Sequence, residues 1–237
     1  MKNLQSLRLD GCQLSGHLPQ NWSPTLPLNT FTLDDNLLSG PLPKSIGQLS
    51  NLFIMRFDNN LFSGEIPDTW GNLTVSEMVY FYYFMSPYIF WIWSSPPPQK
   101  QSLQINYYQD LSFNSLQGEI PPTLFEIKGL QKLILGTNSL TGSLPDTISK
   151  ATSLQRLSVS HNALSGHIPS AIGGMKAILS LLLNDNQFSG TIPKEFYSEL
   201  PLVAAVDLSN NNLTGHITED ILTTATKGSL AYFSIEG

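Results

Sequence analysis

The sequence predicts an α/β solenoid, a right-handed superhelix with a parallel β-sheet lining its concave side and 3₁₀ or irregular turns on its convex side. Three observations predict it. One segment recurs in a fixed register, as LQSLRLDGCQLSGHLP at 4–19, LNTFTLDDNLLSGPLP at 28–43 and LFIMRFDNNLFSGEIP at 52–67, so that Leu4, Leu28 and Leu52 set a period of 24 residues. Inside each unit the apolar residues alternate with period two over the length of a short strand, as in Leu7-Arg8-Leu9. Each unit then closes on Gly-x-Ile/Leu-Pro, where glycine permits a tight bend and proline stops the chain from continuing as a helix.

The same frame returns at 130–145, 154–169 and 178–193; a half-copy stands at 110–121, and an eighth copy at 203–218 is displaced by one residue. The organisation expected is repeats 1–3 over 1–74, an insertion at 75–109, repeats 4–8 over 110–218 and a C-terminal tail at 219–237. No unit of this kind can bury its apolar face alone, so neighbours must stack, with strands about 4.8 Å apart. The asparagines at the turn (Asn36, Asn60, Asn114, Asn138, Asn162, Asn186 and Asn211) carry an amide suited to backbone groups left unpaired where the strand bends away. They are expected to form a ladder, with Cys12 filling that slot in the first unit.

Composition narrows the function. With 41% hydrophobic and 13% charged residues the chain has material for a core. A net charge of -6 has the wrong sign for a phosphate backbone, so nucleic acid is not an expected partner. A single cysteine rules out an internal disulfide and thiolate-rich zinc sites. His17, His167 and His216 all occupy the x of Gly-x-Ile/Leu and recur at least two units apart, roughly 10 Å by strand spacing, too far to share a metal. No phosphate loop, nucleophile elbow or HExxH segment occurs, so neither catalytic residues nor a cofactor are expected.

The pattern L-x-x-L-x-L-x-x-N/C-x-L is that of the leucine-rich repeat, and the LSGxIP endings closely resemble the plant-specific class found in receptor kinases, receptor-like proteins and polygalacturonase-inhibiting proteins. LSGPLPKSIGQLSNL and DLSNNNLTGHI are most similar to receptor-like protein ectodomains. That resemblance implies a non-enzymatic recognition module on the extracellular side of the plasma membrane, binding a peptide or elicitor in signalling or defence with a co-receptor kinase as partner. The other function it implies is inhibition of a secreted cell-wall-degrading enzyme. The capping units, transmembrane helix and kinase of such families have no counterpart in the sequence, and MKNLQSLRLDG does not read as a signal peptide, so the chain is expected to be a fragment whose membrane association lies in missing parent segments.

Candidate ligand-binding residues lie between the core leucines. Equivalent positions on parallel strands sit side by side, which predicts an acidic patch of Asp10, Asp34, Asp35 and Asp58 with Arg8 and Arg56 embedded in it, suited to a basic peptide. Further along, Phe113 and His161 contribute to a more mixed surface. Three sequons, at Asn21, Asn72 and Asn212, would be N-glycosylation acceptors at turns or on the convex side, leaving the concave face clear.

The insertion breaks the pattern. It packs nine of the chain's 24 aromatic residues into 80–93 and continues into SSPPPQKQ. A translated intron, an island loop and a membrane-dipping segment are the three readings, with poor order expected in each. The fourth inner strand is expected to be degraded, because Asn106 and Gln109 stand where two leucines belong.

Overall fold

The computed structural model describes residues 3–73, 107–216 and 230–236. The alternating segments form strands β1 (Ser6–Arg8), β3 (Thr30–Thr32), β5 (Ile54–Arg56), β7 (Tyr107–Asp110), β9 (Leu130–Ile134), β11 (Arg156–Ser158), β13 (Ser180–Leu182), β15 (Ala205–Asp207) and β17 (Tyr232–Ser234). Among the described residues they make one nine-stranded parallel sheet in chain order, the concave face. The L-S/T-G halves form flank strands: β2 (Ser15–His17), β4 (Leu37–Pro41), β6 (Leu61–Glu65), β8 (Ser115–Gly118) and β10 (Ser139–Leu140) in one sheet, β12 (Ser165–His167), β14 (Gln187–Gly190) and β16 (Asn212–Leu213) in another. After the proline the chain turns through 3₁₀ segments at Lys44–Gln48, Asp68–Asn72, Pro122–Glu126, Asp146–Lys150 and Ser170–Gly174, and through α1 at Glu195–Ser198. This is the α/β solenoid the repeat demands.

Leu33, Phe57, Leu111, Leu135, Val159, Leu183 and Leu208 follow one another down the interior, essentially without solvent contact. In the second and third units the filling is aromatic: Phe31 lies edge-on to Phe57 at 4.9 Å, and Phe57 edge-on to Trp70 at 6.2 Å. The Trp70 indole N–H, fully buried, donates to the Pro43 carbonyl at 3.0 Å, so the ring's polar atom is satisfied inside the core.

Each turn asparagine makes one set of hydrogen bonds. Asn60 shows the pattern: Oδ1 accepts from Leu38 N at 3.0 Å, while Nδ2 donates to Leu33 O, Phe57 O and Asp58 O at 2.9, 3.3 and 3.1 Å. Two of the four partners belong to the preceding unit, so each amide ties its own bend to the bend before it. The asparagines thus bridge units through backbone groups rather than through one another. In the first unit, Cys12 is exposed and its backbone N–H donates to Asn36 Oδ1 at 3.2 Å.

Two features differ from the sequence expectation. The fourth inner strand is formed, not degraded: β7 pairs with β5 and β9, with a register irregularity between Tyr107 and Tyr108. Pairing is a backbone property, and partners on both sides hold the strand although Gln109 takes a leucine slot. The misfit is local; Gln109 is buried with its Oε1 lacking a hydrogen-bond partner, a desolvation cost of about 1–3 kcal/mol. The strand begins at Tyr107, within the stretch read as insertion, whose remaining residues lie outside those described. The second difference is β17, in the C-terminal tail, which adds a ninth strand on β15 and anchors Phe233 6.3 Å edge-on to Phe196.

Candidate functional site: the acidic half of the concave face

The period-two strand turns Arg8, Thr32, Arg56 and Asp110 away from the core, and the register pairs Arg8 with Thr32, Thr32 with Arg56 and Arg56 with Asp110. Two residues on, Asp10, Asp34, Asp58 and Ser112 make a second row. Asp10 Oδ1 accepts from the Thr32 hydroxyl at 2.7 Å. The Arg56 guanidinium lies across the rows: Nη2 donates to Asp34 Oδ2 at 2.6 Å, and Nε approaches Asp58 Oδ1 at 3.6 Å. Asp110 Oδ1 accepts from the Ser112 hydroxyl and backbone N–H at 2.6 and 3.0 Å.

The Arg56 guanidinium therefore stands among the buried or half-buried carboxyl groups of Asp34, Asp58 and Asp110. Burial pushes the Asp58 carboxyl up to about 8, with Asp110 and Asp34 raising it further against the pull of Arg56. Asp34 is also raised, by burial first, with Arg56 opposing. Asp34 Oδ1 and Asp58 Oδ1 are buried without a hydrogen-bond partner.

Of the predicted residues, Asp10, Asp34, Arg56 and Asp58 come together. Arg8 is exposed at the start of the array. Asp35 leaves the row: it sits in the left-handed region at φ 57°, on the rim where the strand ends, and takes a hydrogen bond from Asn59 Nδ2. Phe113 (φ 52°) and His161 (φ 53°) occupy the same rim position two units apart and do not meet; His161 Nδ1 instead faces Asp185 Oδ2 at 3.3 Å. The predicted mixed surface thus divides into separate rim positions.

Sequence reasoning passed over the position before the first core leucine. There β9 and β11 set Lys132 beside Arg156, and burial together with Arg156 lowers the Lys132 pKa. The period alone could have found this basic pair. The sequons Asn21, Asn72 and Asn212 are all exposed. His17 and His167 have a packing role: each covers the glycine of the next unit, where a Cβ on Gly40 would come 2.5 Å from His17 Cδ2 and one on Gly190 2.8 Å from His167 Cδ2. Among the described residues no group of three potential metal ligands gathers, and no helix is long and apolar enough to cross a membrane.

Comparison with known proteins agrees with this architecture. The leucine-rich-repeat family profiles match residues 3–24 and 128–188. Those segments are leucine-rich repeats, and the solenoid fold is the one leucine-rich repeats build. Its repeats superpose on the crystal structure of a TDR receptor with a TM-score of 0.80 and 25% identity over 98% of this chain and 34% of that one. They match a plant peptide hormone receptor, RGFR1 in complex with RGF2, at 0.68 and 31% over 99% and 36%. A third match is the Arabidopsis receptor kinase HAESA in complex with the peptide hormone IDA and the co-receptor SERK1, at 0.68 and 31% over 89% and 30%. The leucine-rich-repeat chain thus spans about a third of the length of these structures. A search of curated proteins gave no significant match.

Proposed function

We propose that this leucine-rich-repeat protein is a non-enzymatic recognition module of a plant receptor-like protein, acting on the extracellular side of the plasma membrane. It binds a peptide or elicitor along its concave face in signalling or defence and works with a co-receptor kinase. The observation that carries the reading is the buried acidic network of Asp34, Arg56, Asp58 and Asp110 on a continuous parallel sheet. Asp34 Oδ1 and Asp58 Oδ1, buried without a hydrogen bond, cost stability wherever they serve packing alone. A cationic ligand group would offset that cost. The likeness to receptors solved with peptide hormones supports the peptide class and the co-receptor, and exposed sequons at Asn21, Asn72 and Asn212 suit a secreted, glycosylated parent.

The test is binding of a panel of basic peptides, each paired with a version in which citrulline replaces arginine, to the full chain by calorimetry. The proposal expects saturable binding of a cationic member, weakened about tenfold or more by D34N and by citrulline, as for loss of one buried charged contact. No binding, or binding indifferent to both changes, refutes it. A secreted polygalacturonase belongs in the same panel, since tight binding of that enzyme alone would favour the inhibitor function.

A further inference from the structure

Leu37, Leu61 and Phe113 are 54%, 53% and 59% exposed, and they fall on one flank in three successive units. Leu37 and Leu61 open the paired strands β4 and β6, and the Phe113 carbonyl accepts from Asn60 N at 3.1 Å, which sets its backbone beside the residue before Leu61. Other units put Gln13, Ser115, Ser139, Ala163, Gln187 or Asn212 where these leucines stand, so the fold does not require apolar side chains there. Phe113 adds an independent observation. Its backbone lies at φ 52°, in a left-handed slot that five of the other units fill with Gly11, Asp35, Asn59, Asp185 or Asn210, residues that tolerate it, and two with Thr137 and His161. A bulky aromatic residue there combines strain with exposure and contributes no burial in return.

We propose that this flank is a protein-docking edge, distinct from the concave face, which takes an apolar peptide segment carrying a basic residue. The charge follows from the surroundings. Among the described turn and flank residues beside Leu37 and Leu61, the exposed charged side chains are acidic, Asp35 at the turn and Glu65 at the end of β6, and the row beside them holds Asp10, Asp34 and Asp58. A basic group reaching Asp35 places opposite charges together, whereas a second copy of this acidic chain would set like charges against each other. Phe113 and Leu61 are then the central anchors, with the polar turn as rim.

The experiment is selection of a random phage-displayed peptide library on the full chain, followed by affinity measurement of the enriched peptides as synthetic probes. Expected are peptides combining apolar residues with Lys or Arg. F113N and L61S should each weaken them about tenfold or more, while L202S, at an exposed leucine elsewhere, leaves them unchanged. F113N should also raise the melting temperature by relieving the strained slot, which a structural role for the ring would not allow. Enriched peptides indifferent to F113N and L61S overturn the proposal, as does failure to enrich any, or a fall in melting temperature for F113N. A self-association in sedimentation that F113N abolishes overturns the choice of occupant. Peptides lost on D34N but retained by F113N would support the concave-face function and refute this edge.

Discussion

Replacing Asn60 by alanine removes one amide and leaves Leu38 N buried without its acceptor. Leu33 O and Phe57 O lose a donor each, and Asp58 O a third contact. An orphaned buried N–H costs about 1–3 kcal/mol and each net hydrogen bond about 1 kcal/mol, so N60A should destabilise by roughly 3 kcal/mol. For a chain of this size that is a fall of about 6–12 °C in melting temperature. Because the bonds span two units, the loss weakens a unit-to-unit interface and should broaden the transition of a nearest-neighbour array. Thermal and urea unfolding followed by circular dichroism measure both effects, with N51A, at an exposed asparagine, as the reference. A loss under about 1 kcal/mol, or one equal to that of N51A, would refute the argument that the amides hold the stack together.

Three further outcomes follow. Thr137 is a β-branched residue at φ 56°, so T137N should stabilise by about 1 kcal/mol, visible as a rise in melting temperature. Asp58, raised from 3.8 to about 8 in the folded chain, holds its proton more tightly there than in the unfolded chain, so its charge lowers stability progressively as pH rises from about 4 through about 8. D58N should therefore gain most over the parent at pH 9 and converge on it near pH 4, as urea midpoints across that range would show. G40A places a Cβ against His17 at a φ of 78° and should cost about 1–2 kcal/mol; H17A should recover the steric part in a double-mutant cycle and leave the backbone part.

What the sequence made legible is what the period enforces. Leu7 and Leu9 alternate because a strand does, and Gly40-Pro41-Leu42-Pro43 closes the unit because the chain must bend there. Strand β7 is not legible from apolar pattern, because β5 and β9 supply backbone partners to Gln109 regardless of its side chain. Strand β17 was missed because AYFSIEG carries neither the leucines nor the turn asparagine of a full unit. The site was legible as rows of like positions, which placed Asp34 and Asp58 together. Spacing could not show that Arg56 bridges them or that Asp35 turns onto the rim. Yet the rim signal was present in composition, since Gly11, Asp35, Asn59, Asp185 and Asn210 are residues that accept a left-handed backbone.

The most direct measurement is the amide-exchange footprint of the full chain with a saturating basic peptide selected by the calorimetric panel. Protection centred on β3, β5 and β7, and lost in D34N, is the result the account predicts. Protection confined to the flank strands or to the convex 3₁₀ turns, with β3–β7 exchanging as in the free chain, would contradict it.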